Sequence, residues 1–169
     1  ENEPSGVDFA PHACLNNKCA NPCAANSDCL IGNFCDTGLC KGKQPNGDPC
    51  VAGTQCQSGF CVDGYCCDSA CNGQCSACDA APNQGTCSPA TGKPHGTRPL
   101  CKGEGTPCEG ACDGVNPAAC EYPSSGTACG TACSAGSETP SFCAGNGTCE
   151  PGTAKSFAPY VCGTDQCKK

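Results

Sequence analysis

Apolar side chains come singly or in twos along this chain, mostly beside a cysteine, and never at the sustained three-to-four-residue spacing of an amphipathic helix. The pattern predicts little helix. What recurs is a cysteine register. Cys23, Cys29, Cys35 and Cys40 are separated by five, five and four residues, and Cys50, Cys56, Cys61 and Cys66 by five, four and four. The second set follows the first by 27 residues, or 26 once Asn33 is treated as an insertion. The residues between agree: Gly32-Asn33-Phe34-Cys35 answers Gly59-Phe60-Cys61, and Gly38-Leu39-Cys40 answers Gly64-Tyr65-Cys66. A looser third copy runs from Phe142-Cys143 to Gly147-Thr148-Cys149. Register, glycine and aromatic move together, which marks an internal repeat.

Each copy reads as a small hairpin. Phe34 or Phe60 stands beside a cysteine in a short strand, and a nearby glycine permits the positive φ of a tight turn. Four cysteines allow three connectivities. In so compact a unit the simplest is first to third and second to fourth: Cys23 with Cys35, Cys29 with Cys40, Cys50 with Cys61, Cys56 with Cys66. The neighbouring Cys66 and Cys67 are expected to bond to different partners and so weld two modules, because a ring between adjacent cysteines is strained.

Composition explains why crosslinks are needed. Leu, Ile, Val and Phe number four, one, five and five, about 9% of 169 residues, with no Trp and no Met. A chain below about 20% in these residues cannot ordinarily bury enough surface to fold. Against this stand 25 cysteines, 23 glycines and 15 prolines. The fold class expected is small and disulfide-rich: tandem cysteine-stapled modules with short β-hairpins and long loops, little helix, and an elongated form. A bridge closing a loop of about 15 residues is worth roughly 3 kcal/mol in the chain-entropy model. Reduction is therefore expected to unfold the protein.

Thiols at this density serve either metal ligation or disulfides. Zinc sites need repeated short cysteine pairs, and only Cys75 and Cys78 have that spacing. Asp79 rather than His follows them, which removes the c-type haem attachment signal as well. His12 and His95 lie outside any repeating pattern. No metal or other cofactor is expected. Disulfides place the chain in an oxidising, extracellular or cell-surface location. It begins at Glu1 without an apolar leader, so a signal peptide is expected to have been removed or left out. No apolar run reaches the roughly 20 residues that span a bilayer. A net charge of −7 and a single arginine, Arg98, argue against nucleic-acid binding.

The cysteine blocks suggest a division: a tail or connecting segment (1–12), a first module (13–45), its repeat (46–67), and two further cysteine-rich blocks (68–120 and 121–169). Residues 88–100, rich in Pro, Gly and Thr, are expected to form an exposed loop. An odd cysteine count leaves one thiol over: bonded to another chain, free, or paired with a segment outside this sequence. Six, thirteen and six cysteines fall in residues 13–45, 46–120 and 121–169, so internal pairing puts the odd one between Cys50 and Cys120. Cys167 is the other candidate.

The run SGFCVDGYCCDSACNGQCSAC (58–78), with GTCSP (85–89), GKPHGTRPLC (92–101), ACDG (111–114) and PYVCG (159–163), resembles cysteine-rich repeat regions in secreted and cell-surface proteins of myxobacteria and related delta-type bacteria. The likeness covers residues 50–169. It implies an exported location and arrays within longer proteins, and it brings no catalytic residues. The first block resembles Dickkopf- or colipase-type modules in its cysteine spacing alone.

Few residues offer chemistry. Asn146-Gly147-Thr148 fits the N-glycosylation pattern and also an ordinary Asn-Gly turn. Asp63-Gly64 and Asp113-Gly114 are explained as turns, since no alternating acidic loop of the calcium-binding type surrounds them. His95 has no nucleophile arranged about it, and Cys75-Ser-Ala-Cys78 lacks the strand–helix context of a redox enzyme. Catalysis is not expected. Two roles remain. The first is an extracellular structural protein, a modular rod serving as stalk, coat or filament subunit. It would self-associate, or join neighbouring domains of the same protein, through Phe9, Phe157 and Tyr160. The second is a recognition or adhesion module that binds a surface protein or glycan through its loops.

Overall fold

The computed structural model describes residues 11–15, 18–19, 22–162 and 167–168, with side chains for 11–13 and 22–161. Among these residues there is no α-helix; short antiparallel hairpins alternate with turns and two single 3-10 turns, and ten disulfides join twenty of the cysteines. The fold is small and disulfide-rich. The chain forms two compact units, residues 1–72 with 76–88, and residues 73–75 with 89–169.

The first unit holds the two repeats. A 3-10 turn at Asn26–Asp28 precedes a hairpin of Asn33–Asp36 with Leu39–Gly42, and one at Gly53–Gln55 precedes Phe60–Val62 with Tyr65–Cys67. Both hairpins turn on two residues with positive φ, Thr37-Gly38 and Asp63-Gly64. That is the geometry whose twist suits flanking strands, and glycine takes the second position without strain. In both, the cysteines of the two strands stand opposite each other, Cys35 with Cys40 and Cys61 with Cys66.

The 3-10 turns are capped alike by different chemistry. Asp28 Oδ2 accepts hydrogen bonds from the Ala24 and Ala25 amides at 2.8 and 2.9 Å. Gln55 Oε1 accepts them from Val51 and Ala52 at 2.7 and 3.2 Å. The amides at Ala24 and Ala25 hold the Asp28 carboxyl below its usual value of 3.8. A lowered carboxylate value means that this cap contributes fully above the ordinary carboxylate range and is lost as pH falls through the depressed one. Acidification should therefore shift the amide proton resonances of Ala24 and Ala25 while leaving those of Val51 and Ala52 in place. Equal movement of both pairs would contradict the capping scheme.

The second unit carries the longest strands. Ala128–Ser134 pairs with Ser137–Cys143, which also pairs with Cys149–Pro151 and Lys155–Ser156. The tight turn here is Ala135-Gly136, again with positive φ at both positions. The third copy seen in the sequence lies at the end of this sheet, with Cys143 opposite Cys149 across residues 144–148.

The core is made of sulfur. Apart from Phe34, Ala77 and Ala90, every buried apolar residue among those described is a cysteine. The bridges follow one rule: taken in chain order they fall into five interleaved pairs, each bonding first to third and second to fourth. These are Cys23–Cys35 with Cys29–Cys40, Cys50–Cys61 with Cys56–Cys66, and Cys67–Cys78 with Cys71–Cys87 in the first unit. Cys75–Cys112 with Cys101–Cys120, and Cys108–Cys143 with Cys129–Cys149, lie in the second. Within each pair the bridges pack together. Sulfurs of both bridges lie within 4.8 Å in four of the pairs, and Cys67, Cys71 and Cys78 cluster with Val62 and Cys87 in the other. Cys66 and Cys67 are fully buried and bond in different pairs, to Cys56 and Cys78.

One correction concerns the odd cysteine. All thirteen cysteines from Cys50 to Cys120 are bonded, so the odd one does not lie among them. The reason is the Cys108–Cys143 bridge, which takes one cysteine of the thirteen to a later block and makes the rest even. Cys133 is bonded too. Cys14, Cys19, Cys162 and the other candidate, Cys167, have side chains outside the described ones.

Close backbone approach fixes some glycines. A Cβ on Gly85, at φ +88°, would collide with the backbone of Gly47, whereas one on Gly59, at φ +83°, would meet nothing within 4 Å. Gly59→Ala should cost about 1 kcal/mol of backbone strain alone. Gly85→Ala adds a clash with immobile backbone and should cost on the order of 3 kcal/mol. Comparison of their thermal midpoints measures the difference, and equal shifts would contradict it.

Candidate functional site

With the interior occupied by bridges, the residues able to meet a partner are the exposed loops and the apolar groups left outside. In the first unit, Leu30 and Ile31 (the latter fully exposed) border a hollow lined otherwise mainly by polar residues, Asn26, Ser27, Asn33, Lys43 and Thr54. His12 Nδ1 lies 3.3 Å from Cys40 Sγ, a sulfur already joined to Cys29, and both cysteines of that bridge are buried.

Residues 88–100, all but Ser88 in the second unit, are only in part a free loop. Thr91 and Gly92 pair with Asp113 and Cys112, and Ala90 is buried, its amide donating to the Cys75 carbonyl. The far end is anchored by Arg98. Its Nε donates to the Gly73 carbonyl at 3.0 Å and its Nη1 to the His95 carbonyl at 2.9 Å. Lys93 pairs with Glu104 at 2.8 Å, and that carboxylate holds the Lys93 ammonium above its usual value. The exposed middle of the segment is thus presented between fixed ends. Composition alone predicted exposure and missed the anchor, because a lone arginine carries no sign of the carbonyls it will meet.

Phe157 and Tyr160, expected as assembly contacts, come together. The Tyr160 amide donates to the Phe157 carbonyl, and the Phe157 amide to the carbonyl of Gly136 at the hairpin turn, both at 2.8 Å. Tyr160 lines a shallow hollow with Ala135, Gly136, Ala158, Pro159 and Val161. Both aromatic residues are about two-fifths exposed. Phe9 lies outside the described residues.

Asn146 is exposed in the loop between Cys143 and Cys149. Its Oδ1 accepts from the Thr148 amide at 3.0 Å and from the Thr148 hydroxyl at 2.6 Å, an Asx-turn that orders the loop by itself. Asp113 does similar work, accepting from the amides of Asn116 and Val115 at 2.8 Å each. Those bonds hold its carboxyl below the usual value.

Four sets of three cysteines have sulfurs close enough to surround a metal ion: Cys23, Cys29 and Cys40; Cys50, Cys56 and Cys61; Cys75, Cys101 and Cys120; Cys108, Cys129 and Cys149. Every member is in a disulfide, so no thiolate is available, and the closeness comes from bridge packing on bridge.

No family model, curated protein or solved structure matches the chain. Its own chemistry speaks to its surroundings. A fold in which all twenty-one cysteines with described side chains are in disulfides requires an oxidising environment in which they form and persist. Among the described residues no helix is long and apolar enough to cross a membrane.

Proposed function

We propose that this chain is a non-catalytic structural component of an extracellular or cell-surface assembly, serving as a stalk, coat or filament subunit. One observation carries the reading: a single device, two bridges interleaved and packed together, recurs five times and supplies nearly all the buried apolar matter. Such a construction, crosslinked where an ordinary domain relies on a marginal hydrophobic core, is expected to resist heat and proteases, and it suits repetition in series. The likeness of residues 50–169 to repeat regions of exported myxobacterial proteins supports the same location. The exposed Phe157 and Tyr160 are the contacts assigned to a second copy or a neighbouring domain of the same protein.

Negative-stain electron microscopy of native material, with and without reductant, tests this reading. Regular polymers that disperse on reduction are expected, and a Phe157→Ser, Tyr160→Ser variant with unchanged circular dichroism should fail to form them. Isolated particles under all conditions would overturn the assembly reading. The anchoring of residues 88–100 by Arg98 favours a second reading, recognition of a surface protein or glycan by that loop. Under it, scrambling residues 93–97 would abolish partner binding and leave assembly untouched.

A further inference from the structure

We infer that the Cys129–Cys149 bridge is a site of thiol–disulfide exchange, attacked at Cys149 Sγ by a thiolate from outside the chain. Of the twenty-one cysteines with described side chains, Cys149 alone is exposed; its partner Cys129 is half-buried. The bridge interleaved with it shows how local the difference is. Cys143 stands directly opposite Cys149 in the sheet, yet it is 3% exposed and bonded to Cys108, which is fully buried. The other eight described bridges each contain at least one buried cysteine; the bridge of the half-buried Cys133 ends on a partner outside the described side chains. Exchange requires a thiolate to reach one sulfur in line with the bond it breaks, so access ranks the bridges.

The step conserves oxidation state. The incoming thiolate bonds to Cys149 Sγ, the Cys129–Cys149 bond breaks, and Cys129 leaves as a thiolate that takes a proton from water. One disulfide replaces another, and no oxidant is consumed. This suits an oxidising compartment, where net reduction would not occur. The rest of the unit survives: Cys149–Pro151 remains paired with Ser137–Cys143, whose end is tied by Cys108. The attacking thiol can be a small molecule or a cysteine of another polypeptide. The exchange holds whether or not the chain assembles.

The test uses the intact protein and a limiting amount of 2-mercaptoethanol, a neutral thiol chosen because Glu150 adjoins the target. After an acid quench and alkylation, peptides are mapped without reduction. The 2-mercaptoethanol adduct should appear on Cys149 and the alkyl group on Cys129, about tenfold faster than at any other of the ten described bridges. First adducts at another of those bridges, on Cys129 rather than Cys149, or at all bridges together would overturn the proposal. In a Cys129→Ser, Cys149→Ser variant the fast phase should vanish while the slower adducts keep their rates. Concentrated protein without added thiol separates the sources. Peptides linking Cys149 to a second copy identify a polypeptide thiol, and adducts with added thiol alone identify a small one.

Discussion

Complete reduction and alkylation of the protein in native buffer abolishes the fold, and amide resonances collapse into the narrow range of an unstructured chain. The expectation follows from the apolar side chains that remain buried among the described residues once sulfur is discounted: Phe34, Ala77 and Ala90. Three side chains cannot offset a backbone ordering cost of about 1–2 kcal/mol per residue. In a protein with an ordinary core, reduction removes a constraint on the unfolded state and leaves the apolar interior to resist. Here the constraint and the interior are the same atoms. The radius of gyration should rise to about 43 Å, the value for an unfolded chain of this length. A reduced chain that kept its amide dispersion would show that something other than the bridges holds the fold.

Removal of single bridges should not be equal in effect. Cys75–Cys112 spans 37 positions, against 11 for Cys50–Cys61. In the chain-entropy model the longer closure is worth about 4 kcal/mol and the shorter about 3 kcal/mol. Cys75 is fully buried and Cys112 nearly so, which adds the loss of packed sulfur. A Cys75→Ala, Cys112→Ala variant should therefore show the larger fall in urea midpoint. It would consume much of a stability of about 5–15 kcal/mol. The single change Cys112→Ala should be worse in kind. It frees the Cys75 thiol 4.0 Å from Cys120 Sγ. Attack there forms Cys75–Cys120 and releases Cys101, which alkylation would report. Equal losses for this variant and a Cys50→Ala, Cys61→Ala one, with no label on Cys101 in the single variant, would contradict the interleaved packing.

How far the sequence could be read depended on loop length. In the two repeats, four- and five-residue spacings leave a hairpin little choice, and the Gly38 and Gly64 turns set which cysteines face each other. Connectivity and element type were both legible there. Cys75–Cys112 and Cys108–Cys143, 37 and 35 positions apart, were not. They depend on contacts that spacing does not encode, such as the Cys75 and Gln74 amides donating to the carbonyls of Pro117 and Ala118. The error over the odd cysteine has the same origin, since Cys108 and Cys143 lie in different blocks of the chain. The Ala135-Gly136 turn was missed because alanine at positive φ gives no compositional sign. Of the candidate surface, Phe157 and Tyr160 were visible as apolar residues apart from the repeats. The exposure of Cys149 was invisible, because one cysteine reads like another until strands place it at the surface.

The central claim is that interleaved disulfide pairs form the interior of this protein, and non-reducing peptide mapping of native material tests it most directly. The account predicts linked peptides joining Cys75 to Cys112 and Cys101 to Cys120, with Cys108 to Cys143 and Cys129 to Cys149. Nested or sequential links among those eight cysteines, such as Cys75 to Cys120 with Cys101 to Cys112, would contradict it.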